Sequence, residues 1–265
     1  MNATMHGREF EAVNSSPVAA HASIRPIRPK VLFERVERRF PQQNVGFRVN
    51  IPSSAIGGMT LLESSVLVSL CTLLDPRRLF EFGTFLGATT LLLAENTHDD
   101  ARIVTLDMGA EAADLDDGAL PVADDGAGLD ILGRSDHNDS YLRGQQRQRG
   151  AVCIARASEQ TQRKVQQLHQ DSRTLDPAAY GFYRAFDYVL IDGGHDLETV
   201  AADTTNAMRM IREDAVILWH DYRSAIHADV TRFLAEYSAP GPLYHVEHTM
   251  LAFCLTGRFA HELGA

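Results

Sequence analysis

The residues of this chain that could do chemistry fall at regular places. Acidic or small polar residues close short apolar runs at Glu81-Phe82-Gly83, Leu106-Asp107, Asp171-Ser172, Ile191-Asp192 and Trp219-His220-Asp221. Aspartate is a common turn residue, so one such placement carries little meaning. Five in step with five apolar runs point to a row of carboxylates along one edge of a sheet. Within that row the stretch Glu81-Phe82-Gly83-Thr84-Phe85-Leu86-Gly87 stands out. Gly83 and Gly87 allow a sharp turn and a close approach of backbone to ligand, and the free amides of a following helix would face the same place. A pyrophosphate-binding turn needs the spacing G-x-G-x-x-G, which this stretch lacks. Gly83-x-x-x-Gly87 preceded by Glu81 suits an adenosine ligand with a cationic amino acid end, where no phosphate has to be cradled. Asp107 could then accept from both ribose hydroxyls, and Asp171-Ser172 from the adenine amino group. The plain alternatives are a tight turn without a ligand and ordinary helix caps.

The elements that must position these residues can be read from apolar spacing. Thr60-Leu61-Leu62-Glu63 has the form of a capping box, and apolar residues continue to Leu74, which gives a buried helix ended by Asp75-Pro76. Arg78 to Phe82 reads as a strand, Ala88 to Glu95 as a helix and Arg102 to Leu106 as a second strand, a βαβ unit with parallel strands. Further strands are expected at Lys164 to His169, Phe186 to Ile191 and Ala215 to Trp219. The spacing of Leu197, Val200, Ala201, Thr204, Ala207, Met208 and Ile211 is that of an amphipathic helix. Ala225 to Tyr237 is helical by the same reasoning, and Tyr141 to about Ala157 is a further helical stretch. After Pro240-Gly241-Pro242 two strands, Leu243 to Val246 and Met250 to Leu255, are close enough to form an antiparallel hairpin at the sheet edge. In an open α/β sheet of this kind ligands bind outside the carboxyl ends of the strands, where the acidic residues fall.

Around this frame the chain has two appendages. Residues 1–30 lack apolar periodicity, and Pro26 and Pro29 oppose a helix, so a disordered tail or an arm is expected there. From Asp107 to Asp139 there are ten acidic residues and one basic residue with scattered glycines. This acidic insertion, at about 108–140, is either a disordered excursion or a lid. Residues 31–265 are then one domain. The 25 basic and 35 acidic residues give a net charge of −10, which argues against a nucleic-acid partner and favours a neutral or cationic small molecule. Cys71, Cys153 and Cys254 are too scattered for a disulfide framework or a zinc pattern. No run approaches a membrane span and the N-terminus has no signal-peptide layout, so a cytoplasmic protein without a membrane partner is expected.

Two segments carry a more specific likeness. Phe186-Asp-Tyr-Val-Leu-Ile-Asp-Gly-Gly-His195, and after a helix Ala215-Val-Ile-Leu-Trp-His-Asp-Tyr222, resemble the class I methyltransferase group that includes the macrocin O-methyltransferase-like and cephalosporin hydroxylase-like proteins. The likeness runs from about Thr60 to Leu255 without the acidic insertion. It implies a Rossmann-like α/β fold, a mostly parallel seven-stranded sheet with an antiparallel edge strand and helices on both faces. It also implies S-adenosyl-L-methionine as cofactor and a small-molecule methyl acceptor, a sugar or a secondary-metabolite hydroxyl. Glu81, Gly83, Thr84, Gly87 and Asp107 match the cofactor-binding positions, Asp171 and Ser172 flank adenine, and Asp192 sits at the catalytic crevice.

Metal-dependent relatives hold Mg²⁺ with one aspartate after the fourth strand and two adjacent acidic residues after the fifth. Here the corresponding residues are Asp192, His220 and Asp221, a mixed set that suits Mn²⁺, Fe²⁺ or Zn²⁺ better than Mg²⁺. Methyl transfer to an alcohol also needs the acceptor's proton removed. His195 or His220 is the expected base, with Asp192 orienting it or sharing a metal. A dehydrogenase using NAD and a non-catalytic accessory protein on the same fold are the competing readings. A homodimer is expected from the leader between Val31 and Ile56 and from the relatives' habits.

Overall fold

The computed structural model describes residues 24–50, 58–108, 142, 144–146, 149 and 151–261. Most of the expected tail, residues 51–56 of the leader and all of the acidic insertion beyond Met108 lie outside these residues. In chain order the elements are β1 Arg25–Ile27, α1 Pro29–Arg39, α2 Leu61–Leu74, β2 Arg78–Phe82, α3 Ala88–Glu95, β3 Arg102–Asp107, α4 Val152–Ala155, α5 Glu159–Gln162 and β4 Val165–His169. They continue with β5 Phe186–Ile191, α6 Leu197–Met210, β6 Ile211–Trp219, α7 Ala228–Glu236, β7 Leu243–Val246 and β8 Ala252–Leu255. Helical backbone is also present at Leu142, at 144–146 and at Arg149, within the stretch expected to be helical.

The strands form one sheet in the order β1-β7-β8-β6-β5-β2-β3-β4. Strands β6, β5, β2, β3 and β4 pair in parallel, so their carboxyl ends share one edge. The chain runs outward from β2 through β3 to β4 on one side, and through β5 to β6 on the other. The switch point therefore lies between β2 and β5, where an open α/β sheet has its crevice.

Alternate side chains of each central strand enter two different cores, as the period of two requires. Leu79, Tyr188 and Val216 face a core shared with α1, α2 and α3, including Leu32, Leu67, Leu70 and Leu93. Phe80, Val189 and Ile217 face the opposite core, with Val200, Ala207 and Met210 of α6 and Val230 and Leu234 of α7. Helix α2 begins with the expected capping box: Thr60 Oγ1 accepts from the Glu63 amide, and Glu63 Oε2 accepts from the Thr60 amide at 2.9 Å.

Two expectations need correction. The sheet has eight strands among the described residues, and its one antiparallel strand, β8, lies between β7 and β6 rather than at the edge. The edge is taken by β1, which pairs in parallel with β7. Pro26 and Pro29 thus do not keep the whole of 1–30 outside the fold. Pro26 sits in an edge strand, where a missing N–H is tolerated, and Pro29 in the first turn of α1, where the amide would have no helical partner. Three residues with a proline in the middle carry no apolar run, so periodicity did not mark β1.

Candidate active site at the carboxyl ends of the sheet

The glycine loop after β2 is fixed by its neighbours on both sides. Gly83 has φ +93°, and a β-carbon there would lie 1.8 Å from the carbonyl oxygen of Asp192 at the end of β5. Only glycine lets the two strand ends come this close. Gly87, at φ +78°, starts α3, and a β-carbon on it would meet the Ile154 side chain of α4 at 2.6 Å. Phe85 is also left-handed, at φ 45°, and its amide donates to Asp107 Oδ2 at 2.7 Å. The loop is therefore folded around the carboxylate of β3. The Met108 amide donates to the other oxygen, Oδ1, at 2.7 Å. Burial raises the Asp107 carboxyl above its ordinary range, and the Phe85 and Met108 amides oppose that rise.

Glu81 lies beneath this loop with no exposure. Thr90 of α3 donates to its Oε2, and so does Thr105 of β3 at 2.6 Å, while the Thr84 and Thr105 hydroxyls are 2.7 Å apart. Its other oxygen makes no hydrogen bond among the described residues. Burial pushes the carboxyl up to about 8 despite the two hydroxyls. Asp171, after β4, is held differently. Arg173 engages both its carboxylate oxygens, at 2.7 to 3.1 Å, and lowers its pKa. The carbonyl of Ser172 accepts from Asn206 at 3.4 Å.

Across the switch point, the ends of β5 and β6 and the starts of α6 and α7 bring together a second group. His220 Nδ1 lies 3.0 Å from Asp192 Oδ1 and 3.1 Å from Asp221 Oδ2, and its Nε2 faces Glu63 Oε1 at 3.6 Å. Asp221 has φ 60°, a left-handed turn that aspartate tolerates better than most residues. Its Oδ2 also lies 3.0 Å from His195 Nε2. The His195 ring stacks on that of His227, with centroids 3.7 Å apart and planes at 20°. Burial opposes a charge on His220, but the charge of Asp192, the hydrogen bond to it and the nearby Asp221 and Glu63 carboxylates overcome it and hold its pKa well above the ordinary histidine value. Burial likewise works against Asp221, and His195 and His220 bring it well below the usual carboxylate range.

The structure thus gathers the expected residues into two adjoining groups. Glu81, Gly83, Thr84, Gly87 and Asp107 surround the loop, with Asp171 and Ser172 at the next strand end outward. Asp192, His195, His220 and Asp221 form the second group. Sequence reasoning missed three members. Glu63 carried a capping signal that accounted for it fully. His227 lies within the stretch Ala225 to Tyr237 expected to be helical, with nothing in its spacing to mark it. Asp203 of α6 is fully buried behind the Asp192-Gly193 turn, 3.2 Å from where a β-carbon on Gly193 would lie, and burial raises it to about 7. Its place on the apolar stripe of an amphipathic helix was the available signal.

An open, mostly parallel sheet with a glycine loop at its switch point and carboxylates at successive strand ends defines an enzyme class that binds a nucleoside-bearing cofactor. Within that class the chain belongs to a methyltransferase domain family, whose model matches residues 80–222. No curated protein matches the chain. Among solved structures it is similar to an O-methyltransferase from Bacillus cereus in complex with SAH, at 16% identity over 86% of this chain and 89% of that one, with a TM-score of 0.44. It is also similar to the O-methyltransferase TomG from Streptomyces achromogenes, involved in tomaymycin synthesis, at 18% identity over 86% and 90% of the two chains and a TM-score of 0.41. A SAH-bound methyltransferase from Podospora anserina gives 13% identity over 85% and 87%, with a TM-score of 0.47.

Proposed function

We propose that this methyltransferase uses S-adenosyl-L-methionine to methylate a hydroxyl of a small molecule, a sugar or a secondary metabolite. The observation that carries the reading is the contact of the two groups across the switch point, where Gly83 packs directly on the Asp192 backbone. A donor seated on the loop would present its methyl group to the crevice occupied by Asp192, His195, His220 and Asp221.

The residues present fit the cofactor. The buried oxygen of Glu81 without a hydrogen bond among the described residues suits a cationic ligand, and the Asp107 carboxylate, held by the Phe85 and Met108 amides at the end of β3, is the group to meet the ribose hydroxyls. Asp171 and Ser172 would flank adenine, and Arg173 holds the Asp171 carboxylate in one orientation. The bound cofactor supplies a methyl group already activated on a sulfonium. What remains for the chain is to align the acceptor oxygen in line with that methyl and to ionise it. The His195–Asp221 pair is where the acceptor loses its proton. His220 has both ring nitrogens directed at carboxylates and serves to hold Asp192 and Asp221 in place.

The protein acts in the cytoplasm as a homodimer. Free, buried Cys71 and Cys254 support a reducing compartment. Exposed Phe33, Val45, Phe47, Val49 and Leu61 give the N-terminal region an apolar surface that a second copy can cover. Equilibrium binding tests the cofactor: S-adenosylhomocysteine binds and NAD does not, and the reverse result would overturn the reading. Transfer of labelled methyl from S-adenosylmethionine to a panel of hydroxylated small molecules tests the reaction, and the mass in solution tests the dimer.

A further inference from the structure

We propose that His227 is a positioning residue for His195: by stacking on the imidazole it holds that ring in the plane from which Asp221 and the methyl acceptor are both reached. The role rests on the proposed methyl transfer, in which the acceptor hydroxyl gives its proton to His195 while its oxygen takes the methyl group from the sulfonium and S-adenosylhomocysteine is released. The placement of the ring is a property of the fold and can be tested without turnover.

The outer torsion of a histidine side chain has broad energy wells, so a ring needs support in more than one direction to stay in place. Asp221 Oδ2, 3.0 Å from Nε2, supports the edge of the His195 ring. That contact alone leaves the ring free to pivot about it. His227 supplies the second direction, because its ring lies against the face of His195 with centroids 3.7 Å apart and planes at 20°. The separation is below the roughly 4.5 to 7 Å common between aromatic side chains, which leaves little room for tilt. Both residues are buried, at 8% and 2% exposure.

The backbone is pinned on both sides of the stack. His195 follows Gly194, where a β-carbon would meet Thr199 Cγ2 at 2.9 Å, so this turn runs tight against the start of α6. The next residue, Asp196, caps α6 by accepting from the Thr199 amide at 3.0 Å. His227 precedes α7, and its amide and that of Ile226 donate to Ser224 Oγ at 3.3 Å. The Arg223 amide donates to Thr231 Oγ1 of α7 at 2.7 Å, which folds residues 221–227 back on the helix they lead into. One short connection from β6 to α7 thus brings Asp221 to the edge of His195 and His227 to its face. A flat partner is what such a support requires. An aliphatic side chain of similar bulk would fill the space and still let the ring tilt, and a reacting group misplaced by about 1 Å can cost about 100-fold in rate.

The test compares full-length His227→Leu, which fills the space without a flat face, with His227→Phe, which restores one. His227→Leu is expected to lower kcat by about 10-fold to 100-fold and to leave the acceptor KM and S-adenosylhomocysteine affinity within about threefold, and His227→Phe to recover most of the loss. In a His195→Ala background His227→Leu is expected to change kcat no further, because a residue that acts through His195 then has nothing to position. Crystal structures of the two variants give a readout independent of the reaction: the His195 ring leaves its place against Asp221 in His227→Leu and keeps it in His227→Phe. An unmoved ring in His227→Leu overturns the proposal. So does an unchanged kcat, a loss shared equally by the two variants, or a loss that persists in the His195→Ala background. A displaced ring in a protein that binds no S-adenosylhomocysteine and transfers no methyl group upholds the positioning and sinks the methyl-transfer reading.

Discussion

Glu63 faces His220 across 3.6 Å, so the residue that starts helix α2 also belongs to the crevice. Its Oε2 completes the cap with Thr60, and its Oε1 accepts from the Met250 amide at 2.8 Å while turning toward the imidazole. One carboxylate thus joins the start of α2, the turn before β8 and the end of β6. The helix that sequence marks as leading into the sheet is in this way coupled to the charge state of the site.

Substitution of Glu63 should separate these duties. Glu63→Ala loses the cap and leaves the Met250 amide without its partner, a combined cost of about 3 kcal/mol in urea denaturation. Glu63→Gln keeps acceptor capacity and should cost about half as much. Burial raises this carboxyl, but the nearby charged His220 and the Met250 and Thr60 amides bring it to about 2. Its contribution is therefore present above the ordinary carboxylate pKa and is lost as pH falls from about 4.5 through about 2. The stability gap between wild type and Glu63→Ala should narrow over that window. A gap independent of pH would rule out the ionic part of the role.

Glu81 gives the opposite dependence. Burial raises its carboxyl from 4.5 to about 8, so the folded cofactor-free protein holds a proton there that the unfolded chain releases. The stability associated with this proton is full below about 4.5 and declines as pH rises, until the folded carboxyl has ionised near 8. The slope approaches 1.36 kcal/mol per pH unit, about 3 kcal/mol in all by neutral pH. Glu81→Gln keeps an acceptor for Thr90 and Thr105 but carries no titrating proton. Its stability relative to wild type should rise between about pH 5 and pH 8. Parallel stability curves for the two proteins would contradict the raised pKa.

What could be read from the sequence follows from how local each signal is. Strand β5 and helix α3 have the expected limits because a continuous apolar run and a glycine-bounded helix are local patterns. Glu81, Asp107 and Asp192, at the carboxyl ends of β2, β3 and β5, were legible for the same reason, since each lies at or beside the end of such a run. Strand β1 was not, because three residues of edge strand need only backbone pairing. His227 was not legible either: its approach to His195 depends on how α7 packs beside α6, which no spacing encodes. Glu63 illustrates a third case, in which a sufficient local explanation concealed a distant one.

The two loop glycines should tolerate substitution unequally. At Gly83 a β-carbon would run into backbone, the Asp192 carbonyl at 1.8 Å, so the two strand ends have to separate. Gly83→Ala should cost about 4 kcal/mol or more and abolish S-adenosylhomocysteine binding. At Gly87 the obstacle is the Ile154 side chain, which can turn aside, and the left-handed backbone accounts for most of a cost of about 1 to 2 kcal/mol. Calorimetry on both variants decides the matter. Comparable losses would mean that the packing of loop on crevice is not what requires Gly83.

His195 and His220 should fail in different ways when each is replaced by alanine. His220 lies among Asp192, Asp221 and Glu63, and its side chain is only 5% exposed. Removing it leaves three carboxylates facing one another without the imidazole between them. Breaking a buried charge pair from one side typically costs about 3 to 5 kcal/mol, so His220→Ala should appear first as a loss of thermal stability. His195→Ala leaves Asp221 its contact with His220, and the cost to stability should be about 1 kcal/mol. The same substitution removes the group proposed to take the acceptor's proton. Single-turnover methyl transfer should slow by about 100-fold to 10,000-fold while S-adenosylhomocysteine affinity stays unchanged. His195→Ala protein that turns over at the wild-type rate would remove the His195–Asp221 pair from the reaction. A His220→Ala variant as stable as wild type would remove His220 as the tie between the two strand ends.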